Sequence, residues 1–232
     1  MIIAVDGIDG TGKGTQCGLL RAALEGKGKQ VRIASFPCYA SFFGEMISEY
    51  LNGAYGSLYA VNPKLIALLF AMDRKDFFEK YEPSQDNMLI LDRYVLSNMA
   101  HQGVKLPAPE RSLFFEWLKN LEYGVNRIPY PDISLVLDMD AALSVKNVAK
   151  KERRSYTSQT YDLHEKDAAY LQDTRALFLE LAGRENAALI RCDDGNGNLK
   201  KEETIASEIA ETVLNRLDGD AKRRNIWAPY GC

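Results

Sequence analysis

A glycine-rich segment near the N-terminus constrains the fold of this chain more than any other feature. The segment reads Gly7-Ile8-Asp9-Gly10-Thr11-Gly12-Lys13-Gly14-Thr15, between an apolar run at 2–5 and a helical pattern. Glycine lets the backbone curl so that several N–H groups point inward, and the N-terminus of the next helix adds partial positive charge. A loop of this kind between a strand and a helix is typical of phosphate binding.

Two side chains of this loop and one further carboxylate suit phosphate and metal chemistry. Lys13 is expected to place a point charge on the terminal phosphates. The strict pattern GxxxxGK[ST] requires serine or threonine where this chain has Gly14. The hydroxyl of Thr15, one residue later, can still face a magnesium ion. Asp92 follows a second apolar run, 88–91, where a carboxylate can hold magnesium through water. A capping or surface role for Asp92 is the alternative.

Short apolar runs alternate with helical patterns along the chain. Strands are indicated by a more alternating run at 31–36 and by continuous apolar runs at 2–5, 88–91, 133–137 and 188–190. Continuous apolar strands are typical of a parallel sheet covered by helices on both faces. Helices are indicated at 17–24, 43–51, 62–81, 111–123, 141–150, 162–181 and 202–217. We therefore predict a single α/β domain over residues 1–218 and a tail at 219–232.

Composition excludes several classes of function. Lys and Arg number 29 against 32 Asp and Glu, which disfavours a nucleic-acid binder. No apolar run approaches the roughly 20 residues of a membrane span, and the N-terminus lacks the basic region of a signal peptide. The four cysteines are far apart in sequence, which predicts reduced thiols. We expect a cytoplasmic protein that binds neither nucleic acid nor membrane.

Phe70 and Arg74 are four residues apart on one predicted helix and therefore share a face. An aromatic ring beside a guanidinium can stack on a nucleotide base, which stabilises binding by roughly 1–3 kcal/mol per base. The spacing alone favours the alternative, in which Phe70 packs in the core and Arg74 forms an exposed salt bridge.

The segment Asp92-Arg93-Tyr94-Val95-Leu96-Ser97-Asn98-Met99-Ala100-His101-Gln102-Gly103 resembles the DRYxxSxxAYQG signature of the thymidylate kinase family. Further similarities to that family lie at 1–15, 36–39, 69–74 and 131–138. The resemblance implies a P-loop NTPase three-layer sandwich with a short lid at about 146–165. It also implies transfer of the γ-phosphoryl of Mg-ATP to dTMP, and a homodimer formed near 65–72.

The resemblance assigns roles to individual residues. ATP binding falls to Gly7, Ile8, Asp9, Gly10, Thr11, Gly12, Lys13, Gly14 and Thr15. Acceptor binding falls to Asp9, Tyr39, Phe70, Arg74, Arg93, Asn98, His101 and Asp162. The Mg²⁺ ion would lie near Thr15, Asp92, Asp9 and Glu165. Catalysis would rest on Lys13, Asp9, Arg93 and the lid residues Arg153 and Arg154, although a basic run can equally be a solvated helix face.

Two residues depart from the family pattern. Cys38 stands where the family often has arginine, so Arg93 or another cation must hold the acceptor phosphate. His101 replaces a tyrosine and follows Asn98 by three residues, on the same helix face. We expect its ring to contact the sugar, to crowd a 2′-hydroxyl and to titrate, so that sugar selectivity varies between about pH 5.5 and 7.5. Simple packing of His101 is the alternative.

Three other functions remain open at this point. The first is a kinase for UMP, CMP or a deoxynucleoside, which Phe70, Arg74 and the Asp92-Arg93-Tyr94 segment disfavour. The second is a GTPase-like switch, for which the chain lacks an NKxD motif. The third is a P-loop protein with an inactive site, which the presence of Lys13 and Asp92 argues against.

Overall fold

A computed structural model describes residues 1–83, 87–149 and 168–226 of the chain. Its strands are β1 (Ile2–Asp6), β2 (Gln30–Ser35), β3 (Asn87–Asp92), β4 (Ile133–Asp138) and β5 (Ala188–Arg191). They form a parallel sheet in the order β2-β3-β1-β4-β5. Each run that was predicted to be a strand is one, and the predicted α/β class is confirmed.

Seven of the described helices follow the predicted patterns with shifted ends, and α4 is the helix that the sequence analysis assumed only for Asn98 and His101. The helices are α1 (Lys13–Glu25), α2 (Phe42–Leu51), α3 (Pro63–Lys80), α4 (Val95–Gly103), α5 (Ala108–Lys119), α6 (Ala141–Ala149), α7 (Ala168–Arg184) and α8 (Glu202–Ile226). The helix predicted at 111–123 instead leaves α-geometry after Lys119 and continues as a π-helical segment, Asn120–Val125. Helix α8 extends past its predicted end at Leu217, so the first part of the predicted tail is helical. Among the described residues, no helix is long and apolar enough to cross a membrane.

Alternate residues of each central strand enter two separate cores. On β1, Ile2 and Ala4 pack in the core formed with helices α4, α5 and α7. Ile3 and Val5 pack in the core formed with α1 and α8 on the opposite face. Both faces of the sheet are therefore buried, which is why the strands are continuously apolar in sequence.

The carboxyl ends of the strands meet at one edge of the sheet. Strand β3 lies between β1 and β2, and Asp92 is in register with Val5 on one side and Ser35 on the other. The glycine-rich loop leaves β1 at this edge, and Arg93 follows β3. Ligands of parallel α/β sheets bind at this edge, so the fold gathers the candidate residues there.

Candidate active site

The glycine-rich loop connects β1 to α1 and needs glycine for steric reasons. Gly7 has a φ of 142°, and a Cβ there would lie 2.5 Å from the carbonyl oxygen of Leu137. Gly10 has a φ of 80°, and a Cβ there would lie 2.5 Å from the carbonyl oxygen of Ser144. Any side chain at either position would strain the backbone and displace a neighbouring chain segment.

Helix α6 holds this loop from outside, a contribution that the sequence analysis missed. The Ser144 hydroxyl donates to the carbonyl oxygen of Asp9. The Asn147 amide donates to the carbonyl oxygen of Gly10 at 2.7 Å. These bonds fix two carbonyls of a loop whose type binds phosphate through its backbone N–H groups.

The Lys13 ammonium lies inside the curve of the loop. Its Nζ donates to the carbonyl oxygens of Gly7 at 3.0 Å and Ile8 at 2.7 Å, and the side chain is buried. At the start of α1, a Cβ on Gly14 would lie 3.4 Å from Oδ2 of Asp92. The Asp92 carboxylate therefore lies against the first turn of the helix that carries the exposed Thr15.

A cavity of about 270 Å³ opens beside the loop. Its walls bring together twelve of the residues selected from the sequence, namely Asp9, Gly10, Gly12, Lys13, Gly14, Tyr39, Phe70, Arg74, Asp92, Arg93, Asn98 and His101. Gly7, Ile8, Thr11 and Thr15 belong to the loop but do not line the cavity. Arg153, Arg154, Asp162 and Glu165 lie outside the described residues, so their roles stay predictions. Of the predicted lid, residues 146–149 form the end of α6.

Arg93 sits at the turn from β3 into α4 with a φ of 70°. Its guanidinium forms an ion pair with Asp9 and donates to the carbonyl oxygen of Gly7 at 3.3 Å. Burial alone would lower the pKa of Arg93, but the carboxylates of Asp9 and Asp92 outweigh it and raise the pKa. The group is therefore a permanent cation fixed between the loop and the cavity.

The environment of Arg74 differs from both alternatives predicted from the sequence, a guanidinium beside the base and an exposed salt bridge. Arg74 lines the cavity, yet its Nε and Nη2 both bond the carboxylate of Glu122, on the π-helical segment. Arg74 is 1% exposed and Glu122 is fully buried, so the salt bridge is internal rather than at the surface. Burial lowers the pKa of Arg74, and the charge of Glu122 more than compensates. Glu122 had no sequence signal, because a lone glutamate in a helical pattern indicates a solvated position.

Two amides on α4 line the cavity, and each has one buried polar atom without a partner among the described residues. The Asn98 Nδ2 donates to the carbonyl oxygen of Ala67 at 2.9 Å and to Glu122 at 3.4 Å. Its Oδ1 is buried and has no partner among the described residues. Gln102, one turn later, lines the same cavity, and its buried Nε2 has no partner in that part of the chain either. These two residues of the wall thus have one unpaired acceptor and one unpaired donor between them, and the sequence analysis selected only Asn98.

Asp6, the last residue of β1, fixes the start of α4. Its Oδ1 accepts from the backbone N–H groups of Tyr94 at 2.8 Å and Ser97 at 3.0 Å, and from the Ser97 hydroxyl. A carboxylate at a helix N-terminus stabilises the unpaired N–H groups there. Asp6 therefore ties the strand before the loop to the helix that carries Asn98 and Gln102.

His101 is a buried neutral residue, which overturns the expectation that it titrates near neutral pH. Burial, together with the nearby charge of Arg93, lowers its pKa to about 3. Tyr170 donates its hydroxyl proton to the carbonyl oxygen of His101, so Nδ1 must be the protonated nitrogen that bonds the Tyr170 oxygen at 3.0 Å. Nε2 then accepts from Arg93 at 3.4 Å. We therefore expect no change in sugar selectivity from His101 between about pH 5.5 and 7.5.

The same shift predicts a pH dependence of stability. Between about pH 6.5 and pH 3 the unfolded chain binds a proton at His101 that the folded chain does not. The free energy of unfolding should therefore fall as the pH falls, by up to about 1.4 kcal/mol per pH unit. Denaturant unfolding from pH 4 to pH 7 should show a shallower dependence for His101→Gln than for wild type. His164→Gln, which alters the other histidine, is the matched change, and equal slopes for wild type and His101→Gln would contradict the assignment.

The comparisons with known proteins by family model, sequence and structure all find thymidylate kinases. A family model described as thymidylate kinase matches residues 5–202. Thymidylate kinase from Mycobacterium tuberculosis is 31% identical over 187 residues, covering 79% of this chain and 86% of the relative. The Schizosaccharomyces pombe thymidylate kinase is 27% identical, with 92% and 91% covered. The solved thymidylate kinase structure from Candida albicans shares the fold at a TM-score of 0.68 and 21% identity, covering 93% and 92%.

Proposed function

Because the chain belongs to the thymidylate kinase family, a family of phosphotransferases that phosphorylate dTMP, we propose that its cavity is the dTMP site and its loop the ATP phosphate site. One observation carries this proposal: a single cavity joins the loop and Lys13 to a wall of aromatic and amide side chains. A phosphate donor on the loop and a nucleotide against the wall would meet inside it. Positioning of this kind supplies much of the rate enhancement of phosphoryl transfer.

The polarity of the wall supports a thymine base. The N3–H of thymine is a donor that suits Oδ1 of Asn98, and an adjacent ring carbonyl suits Nε2 of Gln102, since neither atom has a partner in the described part of the chain. Cytosine presents a ring nitrogen acceptor and an amino donor, which is the reverse pattern. Phe70, half-buried in the same wall, supplies a ring on which the base can stack.

The cations near the loop support the phosphate chemistry. Lys13 would bind the donor phosphates, and Arg93, held by Asp9, would bind the acceptor phosphate together with Tyr39. Cys38 is exposed and lacks charge, so Arg93 would replace the arginine found there in the family pattern. These groups would stabilise charge on the transferring oxygens without a covalent intermediate. Arg153 and Arg154 of the lid, and Asp162 beside the acceptor, remain part of the proposal as family-based assignments.

The oxygen ligands at the start of α1 fit a magnesium ion. Asp92 lies against Gly14, which Thr15 follows in the first turn of α1, and carboxylate and hydroxyl oxygens suit Mg²⁺. Asp9 belongs to the same edge but is paired with Arg93, which makes Asp92 and Thr15 the better-placed ligands. Glu165 stays a family-based assignment. A bound Mg²⁺ would neutralise phosphate charge.

The apolar face of α3 supports the proposed homodimer. Leu65 is 59% exposed and Leu68 is 39% exposed in the isolated chain, one turn apart on the same helix. A second copy of the chain would bury this face. Sedimentation at micromolar concentration should give a dimer for wild type and a monomer for Leu65→Glu/Leu68→Glu. We also propose a cytoplasmic enzyme that acts on free nucleotides, consistent with its composition.

An acceptor panel tests the proposed function. ADP release with Mg-ATP should be fast with dTMP and low with UMP, CMP, dCMP and dGMP, and including dUMP measures the contribution of the 5-methyl group. Nucleotide turnover that is independent of any nucleoside monophosphate would instead favour the switch-like function. A preference for UMP or CMP would show that the enzyme is a kinase for a different nucleoside monophosphate.

Replacing Phe70 by alanine should change the KM for dTMP and the KM for ATP to different extents. We expect the KM for dTMP to rise about tenfold, because the stacking surface is lost, while the KM for ATP stays within about twofold. Steady-state kinetics with each nucleotide varied in turn measures both constants. Phe42→Ala is the matched control, since Phe42 is 70% exposed. A change in the ATP constant alone would show that Phe70 does not face the acceptor.

A further inference from the structure

Lys105, in the turn that follows α4, is a cation to which the proposed phosphoryl transfer assigns no role. Its Nζ donates to the hydroxyl of Tyr50 at 2.6 Å and to Oε1 of Gln102 at 2.8 Å. It also lies 5.1 Å from the ring centroid of Tyr50 and 5.9 Å from that of Tyr170. Residues of α2, α4 and α7 thus converge on this one ammonium group, which burial and hydrogen bonds hold in place.

The contact with Lys105 determines which end of the Gln102 amide is bonded within the protein and which end is left for another partner. The oxygen and nitrogen of an amide have nearly the same shape, so the hydrogen-bond partners decide its orientation. An ammonium group has three donors and no acceptor, so it must face Oε1. The Nε2 donor is then the end of the amide that Lys105 does not contact, and this buried atom has no partner among the described residues, although Gln102 itself lines the cavity.

A buried amide N–H without a partner disfavours the free enzyme and favours any ligand that supplies an acceptor at that position. The ligand atom that fits is a carbonyl oxygen of the base. An exocyclic amino group in the same place would direct its N–H donors at the N–H donor of Gln102, so no hydrogen bond could form. If the amide were reversed, Oε1 would take the place of Nε2 and the preference would be inverted.

We propose that Lys105 is a positioning residue for base specificity, which holds Gln102 so that the site selects a pyrimidine carbonyl over a pyrimidine amino group. This inference rests on the proposed dTMP site and adds the residue that sets its polarity. Lys105 does not touch the base itself. It acts through Gln102, and Tyr50 anchors its other side.

The test compares Lys105→Met, which keeps the length of the side chain but removes its donors, with Lys105→Arg, which retains donors. For each variant, kcat and KM are measured with dTMP and with dCMP. For Lys105→Met we expect the ratio of kcat/KM for dTMP over dCMP to fall about tenfold, mainly through KM for dTMP, with kcat nearly unchanged. Lys105→Arg should restore most of the ratio. Lys119→Met is the matched control, because Lys119 forms ion pairs at the surface of α5.

The wild-type enzyme provides a second measurement that needs no substitution. Burial lowers the pKa of Lys105 to about 7, so above that pH the neutral amine gains a lone pair and can also accept from the amide nitrogen. The described titratable groups that face Lys105 are Tyr50 on α2, Tyr170 on α7 and His101 on α4. The dTMP to dCMP ratio should therefore decrease from pH 6 to pH 8.5, and the phosphate group that both nucleotides share cancels from it. Lys105→Arg should show a flat ratio over this range.

An unchanged ratio in folded Lys105→Met, or a wild-type ratio that does not vary with pH, would overturn the role of Lys105. Equal loss of both acceptors, with no change in their ratio, would indicate a purely structural side chain and would also overturn it. These outcomes differ from failure of the proposed function, in which the wild-type enzyme itself would not phosphorylate dTMP.

Discussion

Replacing Lys13 by alanine is expected to lower kcat by about 10³-fold or more while leaving the protein folded. Lys13 is the one cation in the sequence of the glycine-rich loop, and its ammonium lies among the loop carbonyls of Gly7 and Ile8. Without it, the charge that develops on the transferring phosphoryl group would lose a fixed partner. Removal of the side chain leaves carbonyl oxygens that water or a ligand-bound cation can satisfy, so the loss of stability should be small.

Single-turnover and steady-state rates with saturating ATP and dTMP measure the effect on catalysis. Thermal unfolding checks that the variant is folded. Lys27→Ala is the matched control, since Lys27 is exposed just beyond the end of α1 and faces solvent. A folded Lys13→Ala protein with turnover within tenfold of wild type would refute the assignment of the loop as the phosphate site.

Replacing Arg74 by methionine should lower the free energy of unfolding by about 3–5 kcal/mol. The guanidinium is the buried partner of Glu122, and its loss would leave a carboxylate without a counter-charge in the protein interior. The carboxyl group would then have to take up a proton or admit water. Denaturant unfolding near pH 7 measures the loss, and the variant should also bind dTMP weakly because the cavity wall is disturbed.

The double variant Arg74→Met/Glu122→Leu separates stability from binding. With both charges removed, an apolar pair fills the space, and buried ion pairs replaced in this way often keep or gain stability. We therefore expect most of the free energy of unfolding to return while the KM for dTMP stays high. If the double variant is as unstable as Arg74→Met, the ion pair is not the cause of the instability. If dTMP binding recovers as well, Arg74 has no part in the acceptor site.

Local patterns in the sequence determined the architecture. The apolar runs at 2–5, 88–91 and 133–137 became neighbouring strands because residues that are apolar on both faces require cover on both sides. The glycine-rich loop between a strand and a helix was also readable, since the strained positions Gly7 and Gly10 admit no side chain. Asn62 and Pro63 began α3 as predicted, and the Asn62 side chain accepts from the N–H of Lys64. Each of these features depends on residues within one or two turns of chain.

The state of the side chains in the site was decided by the tertiary structure alone. Arg74 meets Glu122 across 48 positions, and Lys105 meets Tyr50 across 55, so no local pattern could pair them. His101 was expected to titrate near neutral pH, yet burial beside Arg93 keeps it neutral. The burial of a side chain and the electrostatic potential around it depend on every segment that packs against it. They therefore cannot be derived from the sequence before the fold is known. The sequence therefore determined where the candidate site lies, and packing determined which of its groups carry charge and which of its polar atoms lack a partner among the described residues.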